Sequence, residues 1–425
     1  MPAPGPTRQH IARRVAAFRP GVGSYTGRVP VFSPFVSLRY ADREAAERLI
    51  APPYDVLSDA QRRGLEDRHP HNSVRIDFPH GKTDPHAYVG VAELLSSWTA
   101  ANVLVSDGTP TFTVYRMTAE VDGRTATTTG VLGALTLEEP GSGDILPHEQ
   151  TTPKDKADRL TLLQSARVNT SPIWGLSLTE GLGRACAEVT TATPDLSATD
   201  DGVLHEAWVV SDPATLRTIS ELVAASPVVI ADGHHRFETA LTYQRERGAD
   251  DAGAAAILAY IVELAPRELE IRSIHRLIDA PAGGSVLDVL APFFTLEKTT
   301  DVGADLAVVS RQSGALGVVT PEGQWLATVR PEAFPDGVEL DQVALATALA
   351  SVDGVSARYH HDPATIIDAV NDGTAAAGVF VRPVSIDQIR GVAQTRTRMP
   401  PKATFFWPKP RTGIVFRPLD EPRRR

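Results

Sequence analysis

SPVVIADGHHRFETALTYQRER, residues 226–247, is the stretch from which the rest of this chain is read. Val228, Val229 and Ile230 form a short β-branched run of the kind a buried strand needs. Asp232, Gly233, His234, His235 and Arg236 then break it with charge, a permissive glycine and two imidazoles. From Phe237 the period becomes helical, with Phe237, Ala240 and Leu241 on one face. Strand, polar turn and helix in that order set chemistry at the end of a sheet. The free N–H groups and partial positive charge of the helix start suit an anion such as phosphate. Asp232 is also a hard oxygen ligand of the type that holds magnesium. A purely structural turn needs Gly233; it needs neither the two histidines nor the arginine.

Upstream, Leu146-Pro147-His148-Glu149-Gln150-Thr151 opens a loop dense in ionisable groups, continuing to Asp158-Arg159. Lys154 to Lys156 read as solvated surface. His148-Glu149 behind a proline differs, because Pro147 restricts the backbone from which the pair starts. A carboxylate held beside an imidazole suits general-base catalysis, so Glu149 is the candidate base and His148 its partner. Nearer the start, Pro52 and Pro53 fix a turn that presents Tyr54 and Asp55. At the far end, Met399 to Pro410 places three aromatics between prolines, flanked by Lys402 and Lys409. The aromatics read as a terminal strand packed on the core; the lysines are compact positive charges able to face a phosphate.

Between these stretches the chain reads as alternating elements. Strands are expected at 29–40, 72–78, 111–117, 125–137, 170–176 and 203–210. Helices are expected at 41–50, 58–68 (capped by Ser58), 88–101, 160–168 and 212–225. Ala254 to Glu263 and Ile271 to Ile278, with His275-Arg276, are further apolar segments. Residues 1–28 read as a flexible basic tail, 29–280 as a catalytic core, 281–395 as a plainer second α/β subdomain, and 396–425 as a segment returning to the core.

The 425 residues carry a formal net charge of −10, which argues against a general nucleic-acid binder. The single cysteine, Cys186, excludes an intrachain disulfide and a cysteine-based zinc site; its apolar helical setting reads as a buried thiol. No run approaches the roughly 20 apolar residues of a membrane span, and the start lacks a secretory core, so the chain reads as cytoplasmic. Phosphate-loop, dinucleotide, zincin and nucleophile-elbow templates are all missing. What remains is phosphate held at a turn, a magnesium-compatible carboxylate and a separate base, which together describe phosphoryl transfer to a hydroxyl.

The motifs SPFVSLRY (33–40), APPYDVL (51–57), PHEQTTPKDKADRLTLL (147–163), SPIWGL (171–176), ADGHHRFETAL (231–241) and MPPKATFFWPK (399–409) closely resemble the family catalogued as domain of unknown function 1015. The resemblance runs from about Val31 to Arg417. The Asp232–Arg236 turn also resembles that of the free serine kinases of the ParB/sulfiredoxin-like superfamily, where the loop holds donor phosphates and a glutamate deprotonates serine. It implies a mixed α/β (α+β) fold: a central mixed sheet with flanking helices, that phosphate-binding turn, and a smaller C-terminal subdomain.

By the same resemblance Gly233, His234, His235 and Arg236 hold phosphate, with Arg159, Lys402 and Lys409 assisting, and Asp232 binds magnesium. Arg39, Tyr54, Asp55, Thr151, His275 and Arg276 are expected at the substrate. The implied activity is a kinase for free L-serine or a similar hydroxyl metabolite, with ATP, ADP or pyrophosphate as donor and Mg2+ as cofactor. Self-association into a homodimer stays open. Ala403, where the family is expected to carry serine, and Arg272-Ser273 depart from the pattern and bear on substrate detail. Two alternatives have other chemistry: a ParB-like nucleotide switch, and a metal hydrolase built from His148, His234, His235 and Asp232. A non-enzymatic scaffold fits the two ionisable loops less well.

Overall fold

The computed structural model describes residues 29–79, 88–121, 123–147, 156–248, 250–279, 284–309, 314–334, 337, 340–396, 399–400 and 402–420. These residues fall into two compact units. One is Ser273–Val384; the other is built from the described residues of Gly27–Arg272 and Ser385–Arg425.

The larger unit is organised on a nine-stranded sheet. Its strands are β1 (Phe32–Ser33), β2 (Phe112–Val121), β3 (Arg124–Thr136), β4 (Ile145–Pro147), β5 (Ile173–Ser177), β6 (Leu196–Asp200), β7 (Val203–Val210), β8 (Val228–Asp232) and β9 (Ala256–Glu263). The order is β4-β8-β5-β9-β3-β2-β7-β6, with β1 paired on β3. β4 runs parallel to β8 and β5 parallel to β9. The remaining pairs are antiparallel, so the sheet is mixed. β2 and β3 form the hairpin read from Asp122-Gly123, with Gly123 at φ +73°. Gly130 on β3 has no substitute, because a Cβ there would stand 2.4 Å from the Ile261 carbonyl oxygen.

Flanking helices are α1 (Val89–Ala100), α2 (Lys156–Ala166), α3 (Leu182–Val189), α4 (Pro213–Ala224) and α5 (His234–Arg247). Asp212 caps α4, its carboxylate accepting from the Thr215 N–H at 2.8 Å. One core gathers Leu182 and Cys186 of α3, Ile219 and Val223 of α4, and Phe237 and Leu241 of α5 with the sheet's Val131, Ile173 and Val228. A second collects Val91, Leu95 and Trp98 of α1 with Leu162 of α2, Tyr40 and Phe416. Cys186 is fully buried, and burial pushes its thiol up to about 12, so it is a core residue. Among the described residues no helix is long and apolar enough to cross a membrane.

The smaller unit carries a six-stranded antiparallel sheet in the order Phe294–Thr299, Gly323–Val329, Ala315–Thr320, Ala377–Phe380, His275–Asp279, Ser356–His360.

Several elements differ from the sequence reading. Residues 72–78 alternate like a strand, yet Val74–Asp77 is a one-turn helix, because the Asn72 side chain accepts the Val74 N–H at 2.9 Å and starts a turn. Residues 29–40 hold two short strands, Phe32–Ser33 and Leu38–Tyr40, in different sheets. Residues 271–278 also divide: Glu270–Arg272 pairs with Phe405–Trp407, while His275–Asp279 belongs to the smaller unit. β8 runs on to Asp232 and α5 begins at His234, so the polar turn is a single glycine.

Candidate functional site

Gly233 does what the turn requires. It sits at φ +86°, a conformation L side chains avoid, and a Cβ there would lie 3.1 Å from both Arg236 Nε and Ile173 Cα. It is the N-cap of a 14-residue helix and offers no side-chain cap, and the α5 N-terminus carries the partial positive charge that favours an anion.

Around it, segments distant in sequence converge. Lys409 Nζ donates to Asp232 Oδ1 and Arg236 Nη2 to Asp232 Oδ2, the latter at 3.0 Å. Burial works against the Asp232 charge, but Lys409 and Arg236 outweigh it and hold the carboxyl down to about 2. Arg236 Nη1 donates to the Pro172 carbonyl at the entry to β5, and Nη2 stands 3.9 Å from Asp55. Burial would lower the guanidinium, but Asp55 and Asp232 reverse this and keep it charged. Lys409 arrives on the segment after Phe405–Trp407, whose Phe406 packs on Trp174 of β5 at 5.6 Å. Its ammonium also lies 5.1 Å from the Phe405 ring centroid.

Arg159, near the start of α2, is 5% exposed and lies 3.8 Å over the Tyr54 ring. It donates to Asp158 and, through Nη1 at 2.7 Å, to the Asp77 carbonyl. Burial pushes the Tyr54 phenol well above its usual range. Asp77 is the residue that sequence reading missed. It is 2% exposed; its Oδ1 accepts from Thr170 at 2.6 Å and Ser171 at 3.3 Å, and its Oδ2 from Thr412 at 3.3 Å. Three hydroxyl donors on one buried carboxylate tie the 74–77 turn to the β5 entry and to the C-terminal segment. No motif flags it, and the alternation at 72–78 conceals it.

Other expected site residues stand elsewhere. Arg39 donates to Asp107 at 2.8 Å through Nε and to Thr113 at 2.7 Å through Nη2, contacts that brace the fold away from the turn. His275 and Arg276 belong to the smaller unit. There His275 is buried and down to about 4 through burial and the neighbouring Arg276, with its ring 4.9 Å from Phe380. Arg276 lies 4.6 Å over Tyr359 in that same unit. His234 is buried, His235 half-buried and Lys402 exposed. His148, Glu149 and Thr151 lie outside the described residues.

Asp232 does not fit a magnesium ligand as arranged, since both its oxygens already face cations of the protein. Among the described residues no three His, Cys, Asp or Glu side chains gather as a metal site. The arrangement fits an oxyanion instead: fixed cations and the positive end of a helix at one strand end.

A family model described as "Protein of unknown function (DUF1015)" matches residues 32–354. No curated protein matches the chain. Among solved structures, a conserved hypothetical protein from Pyrococcus furiosus is similar with a TM-score of 0.38 at 10% identity, covering 64% of this chain and 90% of that one. A free serine kinase in complex with AMP gives 0.37 at 10% identity, covering 62% and 83%. SbnI with C-terminal truncation, from Staphylococcus aureus, gives 0.39 at 12% identity, covering 68% and 87%. Similarity at this level transfers no activity.

Proposed function

The chain belongs to the DUF1015 family, and from that premise we propose that it is a small-molecule kinase. It would move a phosphoryl group from ATP, ADP or pyrophosphate to the hydroxyl of free L-serine or a similar metabolite. The observation that carries this reading is the Asp232–Arg236 turn, where an uncapped helix start meets Lys409 and Arg236. Asp232 holds the two cations as a shared counter-ion, and so fixes where donor phosphates are gripped. In-line transfer needs such positioning and charge neutralisation more than covalent help. Magnesium would accompany the donor phosphates and neutralise their charge; no step here runs through it.

Glu149 is the proposed base. β4 pairs parallel with β8, setting Pro147 opposite Ile230, two residues before Asp232. The strand that leads to His148-Glu149 therefore ends beside the turn, and two further residues span at most about 7 Å. Glu149 would accept the hydroxyl proton as that oxygen attacks the terminal phosphorus. The new P–O bond forms as the bond to the leaving phosphate breaks. Tyr54 and Asp55 border the turn on the Arg159 and Arg236 side and are proposed to meet the acceptor. The hydrolase alternative asks Asp232 to ligate a metal, a role its two ion pairs oppose.

Incubation with magnesium, each donor and a pool of hydroxyl metabolites, read by phosphorus NMR, tests the reading. A new phosphoester is expected, and Glu149→Gln is expected to abolish it while donor binding persists. No phosphoester from any donor, or full turnover by the variant, would contradict it.

A further inference from the structure

Between α2 and α5, behind the turn, lies a cavity of about 40 Å³. Thr239 lines it and is 3% exposed. A helical threonine ordinarily satisfies its hydroxyl on the carbonyl four residues back. Thr242 of the same helix does so, donating to the Glu238 carbonyl at 3.0 Å. Thr239 does not: its Oγ1 is buried with no hydrogen-bond partner among the described residues. Arg236 lines the same cavity, and its Nε is likewise buried without one. The other guanidinium nitrogens are committed, Nη1 to the Pro172 carbonyl and Nη2 to Asp232.

The occupant that suits this space is neutral, small and able both to accept and to donate. Asp77 on the wall opposes an anion, and Arg236 and Arg159 oppose a cation. A water needs about 10–15 Å³ and two to four polar partners, so the cavity has the room and the groups. We propose that it holds ordered water bridging Arg236 Nε to Thr239 Oγ1, which makes Thr239 a positioning residue for the anion site. The water accepts the Nε–H and exchanges a hydrogen bond with the hydroxyl. All three guanidinium nitrogens are then tied, and Nη2 is fixed on the side of Asp232. The positioning role rests on the kinase reading; the water does not.

A high-resolution crystal structure of the full chain tests the water directly. Density within hydrogen-bond distance of both Thr239 Oγ1 and Arg236 Nε is expected, and a dry cavity overturns the proposal. Calorimetric titration with pyrophosphate and with ADP tests the role. Thr239→Val keeps shape and loses the hydroxyl; it is expected to weaken binding about fivefold or more, the worth of one hydrogen bond. Thr239→Ser keeps the hydroxyl and is expected to bind within twofold or so of wild type. Equal weakening in Thr239→Val and Thr239→Ser, or none in Thr239→Val, overturns the role; if the valine variant fails to fold, Thr239→Ala is titrated in its place, and wild-type affinity there overturns the role. Wild-type protein binding neither pyrophosphate nor ADP would sink the kinase reading and the role with it, leaving the water to stand or fall on the crystal.

Discussion

Asp232 is bonded through one oxygen to Lys409 and through the other to Arg236, and these pairs hold the site's cations in place. Removing one partner of such a mostly buried set leaves the rest poorly compensated. Lys409→Met is therefore expected to cost about 3 kcal/mol in urea unfolding and to weaken pyrophosphate binding at least about tenfold; unchanged affinity would take Lys409 out of the site. A second prediction concerns His205, buried beside Tyr115 with Nδ1 2.7 Å from the phenol oxygen and down to about 3, mainly through burial. An unfolded histidine titrates near 6.5, so below that pH the unfolded chain binds a proton that the native state refuses. Stability should fall as pH drops from about 6.5 towards 3, by up to about 1.4 kcal/mol per unit. His205→Phe should flatten that slope between pH 6.5 and 5 in urea titrations; an unaltered slope would contradict the assignment. At this scale the sequence announced Asp232, Gly233, Arg236 and Lys409 by type. It could not announce that Lys409 meets Asp232 across 177 positions, nor that Asp77 is a hub, because contacts so distant leave no local pattern.

Among the elements, β8 followed by α5 was the most legible, since a β-branched run, one glycine and a helical period all agree. Where local signals conflicted the reading failed. Val74, Ile76 and Phe78 alternate as in a strand, but all are buried in a segment whose turn is set by Asn72. The joint itself is testable. Gly233→Ala forces an L side chain to φ +86° and sets a Cβ against Arg236 Nε and Ile173. The strain alone is worth about 1–2 kcal/mol. Displacement of Arg236 should add a loss of pyrophosphate affinity that thermal unfolding does not register. Calorimetry on the folded variant checks this, and wild-type affinity would show that Arg236 tolerates the shift.

For the whole molecule, the motifs that resemble the DUF1015 family prove to be spatial neighbours more often than their spacing suggests. Parts of 51–57, 147–163, 171–176, 231–241 and 399–409 touch through Tyr54, Arg159, Pro172, Arg236 and Lys409. Arg39 in SPFVSLRY instead braces the fold on Asp107, and His275-Arg276 belongs to the second unit. A motif marks a constrained position without saying whether the constraint is packing or chemistry, and these residues show both. The account stands on the strand-end turn being the oxyanion grip. Amide NMR of the wild-type chain titrated with pyrophosphate addresses it most directly. Saturable shifts at Gly233, His234 and His235 are predicted, lost in Lys409→Met. Binding that leaves those amides unmoved, or no binding at all, would contradict it.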